Sequence, residues 1–201
     1  VTNKYAINMK TSITSLLMIF CLSIMAYAQT PQDRATELKK QAQSSLNQKD
    51  YIKARYLFKK AYEAFASREN YPQAIECGVQ ANALYVRENF YKEGFELCRD
   101  MEQLLWTGEQ NKKKVFYDLR FLINKERLQM YTALKNPAQA KIQLDKLEEM
   151  ANLAKNDSLT EVLLYTKANY YYTFNQSTQG DACFRKLINL SLIHISEPTR
   201  H

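Results

Sequence analysis

Tyr51 to Met101 reads YIKARYLFKKAYEAFASRENYPQAIECGVQANALYVRENFYKEGFELCRDM, and it carries one pattern at two scales. Tyr51, Tyr71 and Tyr91 stand twenty residues apart, as do Ala54, Ala74 and Gly94. At the longer scale the motif is an aromatic or proline, a small residue, a bulky residue and an apolar one. Tyr51, Ala54, Phe58 and Ala61 fill it first, then Tyr91, Gly94, Cys98 and Met101. Apolar residues recur at three- and four-residue spacings with no sustained alternation of period two, which is the mark of helices. Each unit is therefore two helices of similar length.

Downstream the motif returns as Pro137, Ala140, Leu144 and Leu147, and then as Ser177, Gly180, Phe184 and Leu187. The small residue thus advances by 40, 46 and 40 positions. Eight helices are predicted, at about 31–47, 51–67, 71–87, 90–107, 113–134, 137–155, 158–174 and 178–189. The excess before Ala140 is assigned to a polar linker around Gly108 to Lys114. Pro31, Pro72 and Pro137 each fall near a helix start, where a missing N–H costs nothing. One hairpin cannot bury its own apolar face, so neighbours must stack into a continuous core. The expected fold is all-α, an array of about four antiparallel helix hairpins truncated at its C-terminus. The in-phase motif weighs against a closed bundle.

Both ends are set apart from this array. Met9 to Thr30 has a basic Lys10, an apolar run from Ile13 to Met25 and an Ala26-Tyr27-Ala28 cleavage pattern. It reads as a signal peptide over 9–28, too short to span a bilayer, with the mature chain starting at Gln29. Residues 1–8 read as a start assigned too early. Leu190 to Arg200, LSLIHISEPTR, resembles one reading frame of an adapter used in transposase-based sequencing libraries. Residues 190–201 are accordingly expected to be foreign, the alternative being a natural strand and turn. The repeat domain is then 29–189, cut off without a polar capping helix.

Composition narrows the chemistry. Both histidines, His194 and His201, lie in the set-apart tail, so the array lacks the usual neutral-pH proton shuttle and metal ligand. The net charge of +7 becomes +5 when Lys4, Lys10, Arg200 and Glu197 are set aside. The charges are interspersed, and Lys112-Lys113-Lys114 reads as a solvated linker and not a nucleic-acid patch. Cys77, Cys98 and Cys183 form neither a disulfide framework nor a zinc site, although a Cys77–Cys98 bridge is left open. Asp145, Glu148 and Glu149 read as a solvated helix face, and Glu126 and Arg127, being adjacent, do not face each other. Trp106 is expected in the core. No nucleophile elbow or glycine-rich loop is present, so neither an enzyme nor a cofactor or metal site is expected.

The hairpins resemble the tetratricopeptide repeat. Ala42, Asn82 and Ala168 match its first-helix small position, and Tyr85, Tyr131 and Tyr171 its aromatic one. Ala54, Gly94, Ala140 and Gly180 match its second-helix small residue. The chain departs from it in a period of 40 instead of about 34, in Leu128 at a small position and in Ser45 at an aromatic one. The resemblance implies a concave groove bearing Lys39, Gln43, Val79, Arg87, Lys125, Gln129, Tyr165, Asn169 and Tyr172. From these, Arg87, Lys125, Gln129, Tyr165, Asn169 and Tyr172 are the candidate peptide-binding residues. Tyr171 takes the packing position, and the exposed tyrosines serve either a ligand or a further hairpin.

A second resemblance concerns the stretch from Ala54 to Ile188. Through NYPQAIECG at Asn70 to Gly78 and ALYVRENFYKEGFELCR at Ala83 to Arg99, it resembles the exported N-terminal region of Bacteroides- and Prevotella-type sensor histidine kinases. KERLQMY at Lys125 to Tyr131 and LLYTKANYYYTFNQSTQGDACFRKL at Leu163 to Leu187 extend the likeness. It implies a periplasmic sensory region that binds a protein or peptide. A membrane helix and a kinase core would then follow residue 189, and the full-length receptor could be dimeric. Neither nucleic acid nor, within these residues, a membrane is an expected partner. The alternative is a free-standing exported scaffold for protein assembly.

Overall fold

A computed structural model describes residues 31–196, with side chains described from 34 to 190. The expected start at 1–8, the signal peptide at 9–28 and residues 197–201 lie outside the described residues, as do the tail side chains after Leu190. Eight helices follow in order: α1 Pro31–Asn47, α2 Tyr51–Ala66, α3 Tyr71–Arg87 and α4 Tyr91–Lys112. They continue as α5 Tyr117–Ala133, α6 Pro137–Ala154, α7 Asp157–Thr173 and α8 Ser177–Ser196. Each helix packs on the next, and α3 also touches α5, as α5 touches α7. The chain is an all-α helix-hairpin repeat. No described helix is long and apolar enough to cross a membrane.

The twenty-residue beat comes from helices of about four turns closed by one recurring connection. Every turn places a non-glycine residue in the left-handed region: Lys49, Glu69, Asn89, Lys113, Lys135, Lys155 and Asn175. In six of them the next residue's N–H reaches back five positions, as in Asn70 N to Phe65 O at 3.1 Å and Asn136 N to Tyr131 O at 2.9 Å. With the companion bond from the left-handed residue, such as Glu69 N to Ala66 O, this is a Schellman closure that satisfies the last carbonyls. At four of the turns an Asp or Asn then caps the following helix, whereas Phe90 and Phe116 precede α4 and α5 without a side-chain cap. Asp50, Asn70, Asn136 and Asn156 accept from the backbone N–H of Lys53, Gln73, Gln139 and Ser158.

The small motif positions lie at helix crossings. Ala42, Ala54, Ala74, Ala140 and Ala168 are completely buried. At Gly94 even a methyl group would come within 2.7 Å of Met130 Sδ and 3.0 Å of Asn82 Oδ1. Buried side chains gather into two clusters that meet at α5. Leu119, Ile123 and Met130 join the cluster of α1 to α4, whereas Phe121 and Leu128 join that of α6 and α7. Leu128, the large residue at an expected small position, is one of the pillars of the second cluster.

Three expectations about the middle and end of the chain are corrected. The excess before Ala140 is not a linker: α4 simply runs on through Gly108 to Lys112. Glu, Gln and Lys are good helix formers, and the added turns have partners. Gly108 lies under the ring of Tyr71, close enough that a Cβ would come within 2.5 Å of its Cζ. Lys112 lies 3.6 Å from Glu69, so only Lys113 to Phe116 form the connection. Trp106 is 56% exposed and is not core, since it sits on the outer side of α4 while Leu105 and Gly108 of the same turn face inward. Finally, α8 passes Asn189 and ends at Ser196, because LSLIHIS holds no breaker before Pro198.

Candidate functional site

A groove of about 390 Å³ lies between α5 and α7. From α5 it takes Lys125, Leu128, Gln129 and Thr132, positions spaced to share one helix face. From α7 come Val162, Tyr165, Thr166, Asn169, Tyr170 and Thr173, and Ala133 and Lys135 close the end at the α5–α6 turn. Leu128 and Tyr170 are buried and form the floor. Tyr165, 55% exposed, forms a wall, braced by an edge-on contact with Phe184 of α8 at 6.2 Å.

Two lysines and no carboxylate line this groove. Lys125 Nζ lies 3.4 Å from Glu126 Oε1, so part of its charge is already answered from below, while Lys135 projects from a left-handed turn. The hydroxyls of Thr166 and Thr173 donate to the carbonyls of Val162 and Asn169 at 2.7 and 2.8 Å. These hydroxyls are spent on their own helix. The amides of Gln129 and Asn169 are exposed and remain the polar groups best placed to meet an extended backbone.

Four of the six candidate residues, Lys125, Gln129, Tyr165 and Asn169, therefore share one groove. The other two lie elsewhere. Arg87 stacks its guanidinium 4.0 Å above the ring of Tyr51. Tyr172 packs on Gly180, with its ring 5.8 Å from that of Phe184, and donates its hydroxyl to Asp181. Lys39 pairs with Glu76 at 2.7 Å across the α1–α3 contact. Within the tyrosine run it is Tyr170 that is buried, while Tyr171 is only half-buried at its edge.

On the other flank of α5, facing α3, lies a polar node that the sequence pattern did not indicate. Glu126 is 1% exposed, and Asn82 Nδ2 donates to its Oε2 at 3.1 Å. Burial pushes the Glu126 carboxyl above the usual carboxylate range, against the smaller pull of Lys125 and Asn82. Asn82 Oδ1 is buried and accepts no hydrogen bond. Arg127, the sequence neighbour of Glu126, turns away to pair with Glu102 at 2.6 Å. Asn82 at a small-residue position was the one available hint of such a node.

Cys77, Cys98 and Cys183 are free thiols. Burial pushes Cys77 and Cys98 up to about 12, which leaves both as inert thiols at neutral pH. Among the described residues no cluster of His, Cys, Asp or Glu could hold a metal. Compared with known proteins, the chain matches no family model and no curated protein.

Proposed function

We propose that the array is the protein- or peptide-binding input region of an exported two-component sensor histidine kinase. The observation that supports binding is the α5–α7 groove, where two lysines, two free amides and an exposed tyrosine surround an apolar floor. Such a lining suits an extended segment with acidic or polar groups: the amides take its backbone, Tyr165 an apolar side chain and the lysines a carboxylate. The kinase assignment rests on the resemblance of residues 54–188. Binding would act by favouring one of two arrangements of the receptor.

The experiment is to clone the intact gene and assay its membrane fraction for autophosphorylation on histidine. Wild-type protein is compared with a Lys125→Glu/Tyr165→Ala double variant. Phosphorylation that depends on a periplasmic extract in the wild type and loses that dependence in the variant is expected. A gene ending within one or two helices of Asn189 would replace the receptor by the free-standing scaffold. An unchanged response in the variant would detach the groove from sensing.

A further inference from the structure

We propose that α2 carries a second docking surface, separate from the α5–α7 groove, which takes an acidic segment of another protein around one inserted apolar side chain. Ile52 and Tyr56 are the two most exposed large hydrophobics among the described residues, at 69% and 60%. They stand four residues apart, one turn along the same helix face. Single exposed apolar residues are ordinary, but two aligned beside a concave seat mark a binding surface. The seat is there: Ile52, Arg55, Tyr56, Lys59, Lys60, Glu63 and Tyr85 enclose about 420 Å³.

The base of the seat is fixed. The Arg55 guanidinium lies 4.9 Å from the centre of the Tyr85 ring and 5.2 Å from that of Phe90, and it pairs with Glu88. Lys60 is likewise answered, by Glu63 at 2.9 Å. Lys59 in the seat and the exposed Lys53, next to Ile52 in the chain but outside the lining, have no carboxylate partner among the described residues. Two neutral pairs plus two unanswered cations leave the rim positive, so the complementary partner brings carboxylates. The concave shape favours a protruding side chain over a flat bilayer surface. A partner residue seated against Ile52 and Tyr56 would exclude water from the Lys59 contact and strengthen it.

The test selects a random displayed peptide library on the full chain and counter-selects on an Ile52→Asp/Lys59→Glu variant of matching circular dichroism. Peptides with an aliphatic or aromatic residue flanked by Asp or Glu are expected to enrich. By fluorescence anisotropy they should bind the variant at least about tenfold more weakly. A Lys125→Glu/Tyr165→Ala chain should bind them as the wild type does, which separates this surface from the α5–α7 groove. Absence of acidic-apolar enrichment, or equal binding to the Ile52→Asp/Lys59→Glu variant, overturns the proposal. Co-sedimentation with phosphatidylglycerol vesicles that is lost in that variant, without peptide binding, replaces the protein partner by a lipid surface and overturns it equally.

Discussion

Glu109 grips Arg120 across the α4–α5 turn, accepting from its Nε at 2.7 Å and from its Nη2 on the other oxygen. The same carboxylate takes the Phe116 backbone N–H at 3.0 Å, one of the orphan donors at the start of α5. Tyr71 packs on Phe116 at 5.7 Å and on Gly108, so the added turns of α4 and the entry to α5 are held as one unit. Replacing Glu109 by Ala leaves Arg120 and the Phe116 N–H without that partner. Chemical denaturation should show a loss of about 1–3 kcal/mol. Arg120 holds the Glu109 carboxyl below the usual carboxylate range, so this contribution is present at neutral pH and fades as the carboxylate takes up a proton in acid. A difference between variant and wild type that persists undiminished at pH 2 would remove this account.

Glu126 has the opposite sign. Its carboxyl holds its proton more tightly folded than unfolded, so stability falls as pH rises above the ordinary value of 4.5 until the folded group has titrated. Glu126→Gln keeps an acceptor for Asn82 Nδ2 and removes the charge. The melting temperature of the variant should exceed that of the wild type at pH 8, with the gap closing toward pH 4. A gap independent of pH would show that desolvation of Glu126 is not what the substitution relieves.

The register of the repeats is tested at Ala140, which is completely buried where α6 crosses α5. Ala140→Leu should overpack that crossing and cost about 1–3 kcal/mol. The neighbouring exposed Gln139 should tolerate Ala within about 0.5 kcal/mol. Thermal melts in which the two variants behave alike would contradict the packing.

Lys49 and Lys155 hold left-handed backbone, with φ of 62° and 50°, and both are exposed. An L side chain there is strained by roughly 1–2 kcal/mol, whereas glycine is not. Part of that gain is offset by glycine's greater freedom when unfolded. Lys49→Gly and Lys155→Gly should therefore each raise stability, by up to about 1 kcal/mol in urea titration. Lys→Ala at the same positions should give no such gain.

Local pattern carried most of this fold, and its failures share a cause. The helix edges at Tyr51, Tyr71 and Pro137 were legible because a tyrosine or proline opens each and the small motif residue follows it three positions on. The α4 extension was not, since Gly108 to Lys114 is a polar run with no apolar face to read as amphipathic. Its good helix formers are held by distant partners: Tyr71 on Gly108, Glu69 at Lys112 and Arg120 on Glu109. Glu126 was passed over for a similar reason: its immediate neighbour Arg127 faces elsewhere, and its true partner Asn82 is 44 positions away. Lys125, Gln129, Tyr165 and Asn169 could be chosen from helix periodicity, but not the placement of Arg87 and Tyr172. Those two depend on which rings, Tyr51 and Phe184, their neighbours offer.

The division of α5 between two clusters has a dynamic consequence. Repeat arrays tend to fray from their ends, with each hairpin opening on its own terms. Opening α1 to α4 would strip Leu119, Ile123 and Met130, while opening α6 to α8 would strip Phe121 and Leu128. Either event leaves α5 with one flank wet and the other dry, so the two halves cannot exchange amide hydrogens independently of it. The slowest-exchanging amides of the chain should then belong to α5, with protection declining outward in both directions. A tug on one end of the molecule would reach the other through this single helix.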